Sequence, residues 1–512
     1  MLERLTNPAL AETAQRQIRE TISQRAEWFL TQSNGELNES LKRDELDVRI
    51  AQGRLILSSW TEKGTRSWKI TAWEWTGEKF FLQGSRRMGA DRPVLELIPR
   101  AAASAIAATV KAARQKRCEQ IAALACALPP GAKVERAALS PGMRRGQPGR
   151  YARILLRLKH TRIAVTATVA STYARDVDAF LSAALLWFTR TGERALPPYI
   201  HKLWLILESD AVKPALDRIV LLRDALRAVI SVYEVDDSWV TITEIEIPER
   251  RELWQKKLTL FPPISEPQTS DSARAIKERF PDAVDIVQAR HGETLRFLGL
   301  PFARVRRVMD VERVWFGIEG SRRKMLDQQT EHQWENLLSD LEAHRAENTI
   351  DHRHALYRSA SEAWLESLLH RNITRLDPGL IIAPLHAQFR TARGGRLGVR
   401  PVDMLALRQD GRLVVIELKV WEDREHVLQG ADYWRRVEAH RRRGHITRAK
   451  LFDAMRISDE SPLVYLVAPT LRFHPSFQTL ARTIAPDIEI YRFDINEDWR
   501  SGVRVMRRMR VN

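Results

Sequence analysis

The sequence predicts an α/β chain, α+β overall, on three observations. Between Val48 and Leu97 apolar and polar residues alternate through RLILSSW, SWKITAWEW and KFFLQGS, which is the period of half-buried antiparallel strands. From Arg150 to Ile247 the pattern runs strand, strand, helix, strand, helix, strand, the order of an α/β unit. From residue 351 to 512 a leading helix is followed by strand, strand, strand, helix, strand, helix, strand, which echoes that order.

Taken in chain order, residues 1 to about 45 read as polar helix and Val48 to Leu97 as a small antiparallel sheet. A helix rich in Ala, Lys and Arg then runs from about Arg100 to Leu128, where Pro129, Pro130 and Gly131 stop it. YARILLRL, RIAVTATVA, DVDAFLSAALLWFTR, KLWLILES, AVKPALDRIVLLRDALR and AVISVYEV supply the first α/β unit. Leu260 to Asp271, with FPPISEPQTSD, has the Pro and Ser content of a linker. Residues 272–350 are mixed, with a strand pair around RFLGLPFARVRRV and RVWFGIEG and a helix from about Gln329 to Ala346. PLVYLVAP, FQTLARTI and IEIYRFDI complete the last block. The expected divisions are therefore 1–130, 131–250, 251–350 and 351–512.

Setting ARILLRLKHTRIAVTATVA against VDMLALRQDGRLVVIELKV pairs Arg162 with Arg412 and apolar strand with apolar strand. Asp403 then faces Arg153, Glu417 faces Ala167 and Lys419 faces Val169; a three-residue shift aligns Trp187 with Trp434 and puts Ser182 in the place of Gln429. Either residues 150–247 are a degenerate copy of the last block, or two unrelated α/β units share an order of elements.

A chain of 512 residues exceeds what one hydrophobic core serves, so two to four domains are expected. A composition 44% hydrophobic and 29% charged fits a water-soluble globular protein. No apolar run approaches the roughly 18 residues of a membrane helix, and MLERLTNPALAETAQRQ lacks the apolar core of a secretory signal, so no membrane partner and a cytoplasmic location are expected. Cys118 and Cys126, the only cysteines, lie eight positions apart in one predicted helix, too far along its axis to bridge, which excludes a disulfide framework and a cysteine-ligated zinc site. Lys and Arg outnumber Asp and Glu by 82 to 65, a formal +17, which favours a polyanionic partner or is a solvated basic surface. One cluster is local: Arg435, Arg436, His440, Arg441, Arg442, Arg443, His445, Arg448 and Lys450.

The chemistry concentrates between Asp403 and Tyr433. Leu413 to Val420 is apolar apart from Glu417 and Lys419, as in a strand buried on both faces, and alternation puts those two side chains on the same side. Charges facing a core are costly unless paired or holding an ion. Asp403 opens the preceding strand, and Gln409-Asp410-Gly411 folds the two strands into a hairpin, so Asp403 can reach Glu417. Two carboxylates aimed at one point call for a cation, and hard oxygen ligands suit Mg²⁺ or Mn²⁺. Lys419 beside them would position or activate a water attacking a phosphodiester. Upstream, Ser359 and Glu362 fit a capping box, which leaves Glu366 as the helix acid for a second metal or a metal-bound water. Downstream, Gln429 and Tyr433 share a helix face and either could hydrogen-bond a phosphate or support the active site, packing being the plainer reading of Tyr433, and Arg435 and Arg436 are candidates for substrate binding. His352, His354, His370 and His386 match no ligand spacing, WKITAWEW reads as core packing, and no phosphate-binding Gly-rich loop occurs.

Asp403, Glu417-x-Lys419, the earlier Glu366 and the later Gln429-x-x-x-Tyr433 resemble the PD-(D/E)xK, or restriction-endonuclease-like, nuclease superfamily, and within it the members with a RecB-type Gln-x-x-x-Tyr helix. The resemblance covers residues 351–500; Val402 precedes Asp403, so the PD dipeptide is not literal. It implies a mixed sheet flanked by helices, Mg²⁺-dependent phosphodiester hydrolysis and DNA as substrate, as in repair, recombination or defence. The alternative is a catalytically inactive nucleic-acid-binding or scaffolding protein with a nuclease-like fold. A protein partner through the amino-terminal domains and a homodimer are both compatible with the chain.

Overall fold

The computed structural model describes residues 3–32, 38–61, 64–77, 79–85, 93–99, 103–142, 148–169, 177–194, 197, 199–236, 238–255, 258, 269–289, 292–309, 311–318, 323–381, 386–389 and 402–512. Most of the Pro- and Ser-rich linker, and Pro401, lie outside them. The chain divides into two units, one holding residues 1–159, 164–171 and 237–242 and the other 160–163, 172–236 and 243–512.

In the first unit β1 (Glu3–Arg4), β2 (Glu27–Gln32), β3 (Asn38–Lys42), β4 (Leu46–Ala51), β5 (Arg54–Thr61), β6 (Gly64–Trp75), β7 (Phe80–Ser85) and β8 (Val94–Pro99) make an eight-stranded sheet. Helix α1 (Pro8–Ser23) starts where the Asn7 side chain accepts the Leu10 N–H and Pro8 fixes the first turn. It lays Ala11, Ala14, Ile18 and Ile22 on the sheet. The polar helix expected through residue 45 thus ends at Ser23. EWFLTQ alternates instead, and Trp28 and Leu30 enter the core as part of a strand. Trp68 and Trp73 of WKITAWEW pack in the same core. Helix α2 (Ala103–Ala127) and the antiparallel pair β9 (Lys133–Pro141) and β10 (Pro148–Arg157) complete this unit. Cys118 and Cys126 are both free thiols. The strand β11 (Arg162–Thr168) has residues in both units.

The second unit opens with α3 (Val177–Arg194), β12 (Ile200–Glu208), α4 (Ser209–Ile219), α5 (Asp224–Arg227) and β13 (Ile230–Val235), in which β12 and β13 are parallel. A short β14 (Ile242–Ile245) follows. The next segment is α6 (Asp271–Arg279), the antiparallel strands β15 (Val284–Ala289), β16 (Gly292–Phe297), β17 (Leu300–Val308), β18 (Val311–Phe316) and β19 (Lys324–Met325), then α7 (Glu331–His344). This is a five-stranded sheet where the sequence showed only a strand pair. The last segment holds α8 (Ala355–Arg358), α9 (Ser361–Arg371), β20 (His386–Phe389), β21 (Val402–Leu407), β22 (Leu413–Leu418), α10 (His426–Arg442), α11 (His445–Arg448), β23 (Leu463–Pro469), α12 (Phe477–Ala481), β24 (Ile490–Ile495) and β25 (Val505–Arg510). Its strands form one mixed sheet in sequence order, parallel from β22 through β24 and antiparallel elsewhere.

The five-stranded sheet and the mixed sheet share a core. Phe297 and Phe302 of the first sheet and Trp334 and Leu338 of α7 pack with Trp364 and Leu365 of α9 and Ile416 and Val467 of the second sheet. Close approach is enforced at the β16–β17 turn, where Gly299 has φ +81° and a Cβ there would lie 2.0 Å from the Ala363 carbonyl oxygen of α9. On the other side of the mixed sheet α10 and α12 pack against α3 and α4. There Leu222 and Ile484 form an antiparallel bridge, with Arg223 N–H donating to Thr483 O and Ala485 N–H to Leu221 O, both at 2.9 Å. Each of these residues follows a helix that joins two parallel strands, so the two segments meet through corresponding elements.

Candidate active site

The hairpin geometry brings the first two acids together. Met404 pairs with Ile416 across the antiparallel β21–β22 ladder, so the next rung puts Asp403 opposite Glu417 on one face of the sheet. Asp403 Oδ2 accepts the Leu418 N–H at 2.9 Å. Glu417 is buried; its Oε1 accepts from Lys419 Nζ at 2.8 Å, while its Oε2 is buried with no hydrogen-bond donor. Lys419 extends β22 through its N–H to Val467 O and stands 3.8 Å from Asp423 Oδ2.

Helix α9 brings two further acids to the same place. Glu366 is buried, with Arg296 Nη1 3.9 Å from its Oε1, and its charge is felt by Asp403. Glu362 does not cap the helix: the N-cap is Ala360 in the left-handed region at φ 47°, and the Ser359 hydroxyl donates back to Ala355 O. One turn from Glu366, Glu362 is exposed at the rim of the cluster, facing Lys419, Glu417 and Asp423, with the Val420 N–H directed at its carboxylate. Enough protein surrounds it that desolvation raises its carboxyl. The capping-box reading that set Glu362 aside is thus corrected, and the i, i+4 spacing of two acids on one helix face was the signal for both.

Desolvation dominates the ionisation of the strand pair. Burial first, then the charge of Asp403, pushes Glu417 up to about 8. Burial likewise lifts Asp403 to about 6, against the pull of Lys419 and the Leu418 N–H. Both carboxyls are therefore held above the ordinary carboxylate range. Burial pulls Lys419 down, but Glu417, Glu362, Asp403 and Asp423 outweigh it, so its ammonium sits above the ordinary lysine range and stays charged. His426 Nε2 meets the Glu417 carbonyl at 3.2 Å, and burial, then Lys419, lowers its imidazole to about 3, so it is a neutral donor fixing the end of β22.

The folded chain keeps protons on Asp403 and Glu417 that the unfolded chain, with ordinary values of 3.8 and 4.5, has released. In the absence of divalent ions the pair therefore costs nothing below about pH 4 and destabilises increasingly until the pH passes about 8. Glu417→Gln is expected to melt above wild type in EDTA at pH 8, by more than about 1 kcal/mol, and to match it near pH 4. An unchanged difference across that range would contradict the assignment.

Gln429 is buried, its Nε2 donating to Glu425 Oε2 at 3.3 Å and its Oε1 buried without a donor. Tyr433 is buried beneath the Arg436 guanidinium, 4.5 Å from its ring, and burial, then the charge of Glu417, raises its hydroxyl. Both stand behind the acids rather than at an open surface. Arg435 and Arg436 are not free for phosphate: Arg435 Nη2 lies 2.5 Å from Asp432 Oδ1 and Arg436 Nε 3.4 Å from Asp432 Oδ2, in a buried network with Arg218, Asp178 and Asp217. Further along, Arg441 and Arg442 both pair with the fully buried Glu438, and Arg443 Nη1 donates to Ala439 O. The basic run after the motif thus serves as internal fastening for α10.

A divalent cation fits the donor chemistry of Asp403 and Glu417. Both are hard carboxylates, one oxygen is buried without a partner, and Mg²⁺ is commonly bound by one or two carboxylates with water and phosphate completing its shell. Among the described residues no group of three or more His, Cys, Asp or Glu side chains converges into an all-protein metal cage, and none of the helices is long and apolar enough to cross a membrane.

No family model matches the chain, and no curated protein matches it. Among solved structures, that of EndoMS in apo form is similar over 38% of this chain and 86% of its own length, at 10% identity and a TM-score of 0.14, a likeness too slight to carry an argument.

Proposed function

We propose that the chain is a metal-dependent nuclease that hydrolyses DNA phosphodiester bonds. The observation that carries this reading is a pair of carboxyls on adjacent strands, the half-buried Asp403 and the buried Glu417, with one Glu417 oxygen lacking a donor and a charged lysine on the same strand face. Asp403 and Glu417 would hold Mg²⁺ or Mn²⁺, with Glu366 and Glu362 behind them. Bound there, the ion would polarise the phosphoryl oxygen and lower the pKa of its water.

The chain's own groups do the rest. Lys419 Nζ spends one hydrogen on Glu417 Oε1, which leaves donors for the attacking water and for charge developing on phosphate. Because its ammonium is held above the ordinary range, it orients and stabilises rather than accepting a proton. Glu362, exposed one turn before Glu366 on α9, would take the water's proton. The test incubates the full chain with circular, end-blocked, branched and single-stranded DNA in Mg²⁺, Mn²⁺ or EDTA. Strand cutting that needs the divalent ion is expected, and intact DNA of every form under every condition would overturn the reading.

A further inference from the structure

The five-stranded sheet carries a polar face that nothing above uses. A register irregularity at Leu295/Arg296 resets β17 so that Ala303 and Val305 enter the core while Arg304 and Arg306 turn the other way. Thr294 pairs with Arg304, Arg304 with Trp315, and Arg306 with Arg313, so these side chains share one face across β16, β17 and β18. Arg296, two residues past Thr294, belongs to the same face and lies 3.9 Å from Glu366 of the acidic cluster.

Three of these cations, Arg304, Arg306 and Arg313, have no carboxylate partner among the described residues, and neither has Arg323, which immediately precedes β19. Arg296, Arg304 and Arg306 each have a buried Nε without an acceptor, and the Arg306 guanidinium stands 5.9 Å from the Trp315 ring. Burial, then the like charges of Arg306 and Arg323, lowers Arg304 from its ordinary range. By contrast, Arg218, Arg412, Arg435 and Arg441 of the same unit all meet acids. A row of unmatched guanidiniums beside an aromatic ring, ending at a carboxylate site, is complementary to a phosphodiester backbone with bases that can stack.

We propose that the arginine face of β16, β17 and β18 binds the nucleic-acid backbone and leads it past Arg296 to the acidic cluster. The proposal rests on the nuclease reading and names the surface that holds its substrate. It places substrate binding on the sheet that precedes α9, not on the basic run of α10.

The experiment titrates the full chain against a short fluorescein-labelled DNA duplex over a range of NaCl, with EDTA present to prevent cutting. Arg304→Gln with Arg306→Gln is expected to bind more weakly and to reduce the slope of log affinity against log salt by about 2, Arg313→Gln alone by about 1. Arg251→Gln, an exposed arginine elsewhere in the unit, should leave the slope unchanged. In Mg²⁺ the double variant should raise KM with little change in kcat. If the double variant fails to fold, the exposed Arg313 carries the test alone. Unchanged slopes in a protein that still cuts DNA overturn this surface and leave the nuclease reading intact. A wild type that binds with the expected slopes but never cuts supports the surface and sinks the nuclease reading, and a wild type that neither binds nor cuts overturns both.

Discussion

A Lys419→Met variant is expected to fold like wild type and to cut DNA at least about a thousandfold more slowly. Methionine keeps much of the volume of the buried stem, so the packing at the end of β22 survives. What disappears is the ammonium 2.8 Å from Glu417 and 3.8 Å from Asp423. Without it the carboxyls around the site lose their fixed counter-charge and the water loses its donor. Divalent-ion binding should be retained or tightened, because a competing cation has gone, and calorimetric titration with Mn²⁺ would read this separately from turnover. Asp403→Asn should give a comparable loss of cutting together with a loss of ion binding, since its Oδ2 both fixes the Leu418 N–H and faces Glu417. Cutting within about tenfold of wild type in Lys419→Met would remove the lysine from the chemistry.

How much of this was legible in the sequence depended on the range of the interaction. Asp403, Glu417 and Lys419 could be placed together because a hairpin is local: a tight turn and a two-residue period fix which side chains face each other. The mixed sheet and its helices follow from the same apolar runs. Glu362 was misjudged because the cap is decided by the backbone of Ala360 and the rotamer of Ser359, neither of which a Ser-x-x-Glu pattern specifies. Arg435 was misjudged for the opposite reason. Its neutralising partners include Asp217, more than two hundred positions earlier, and no local pattern shows that a helix rich in arginine will be buried against acids from another segment. The arginines of β17 were hidden by the irregularity in register, which inverts the faces that simple alternation would assign.

Arg345 ties the five-stranded sheet to the helix that carries Glu362 and Glu366. Its guanidinium is fully buried, 4.6 Å from the Trp364 ring, and is satisfied by backbone carbonyls. Nε donates to Phe297 O at 2.9 Å, Nη2 to Leu298 O at 2.7 Å and Ala360 O at 3.4 Å, and Nη1 to Leu356 O at 2.6 Å and Ser359 O at 2.7 Å. Burial, then the charge of Arg500, brings Arg345 down to about 9, so it remains protonated at neutral pH. Arg345→Met fills the space but strips donors from carbonyls that water does not reach, and unsatisfied buried acceptors cost roughly 1–3 kcal/mol each with incomplete additivity. A loss of about 3–5 kcal/mol in denaturant unfolding is expected, among the largest for any single substitution in the chain. Arg345→Lys should recover only part of it, since one ammonium with three donors cannot span carbonyls on both the β16–β17 turn and the start of α9. The same variants should lose cutting activity before they lose fold, because this guanidinium fixes the start of α9, the helix that carries the acids facing Asp403 and Glu417. A loss below about 1 kcal/mol for Arg345→Met would show that the turn and the helix are positioned by their apolar contacts alone.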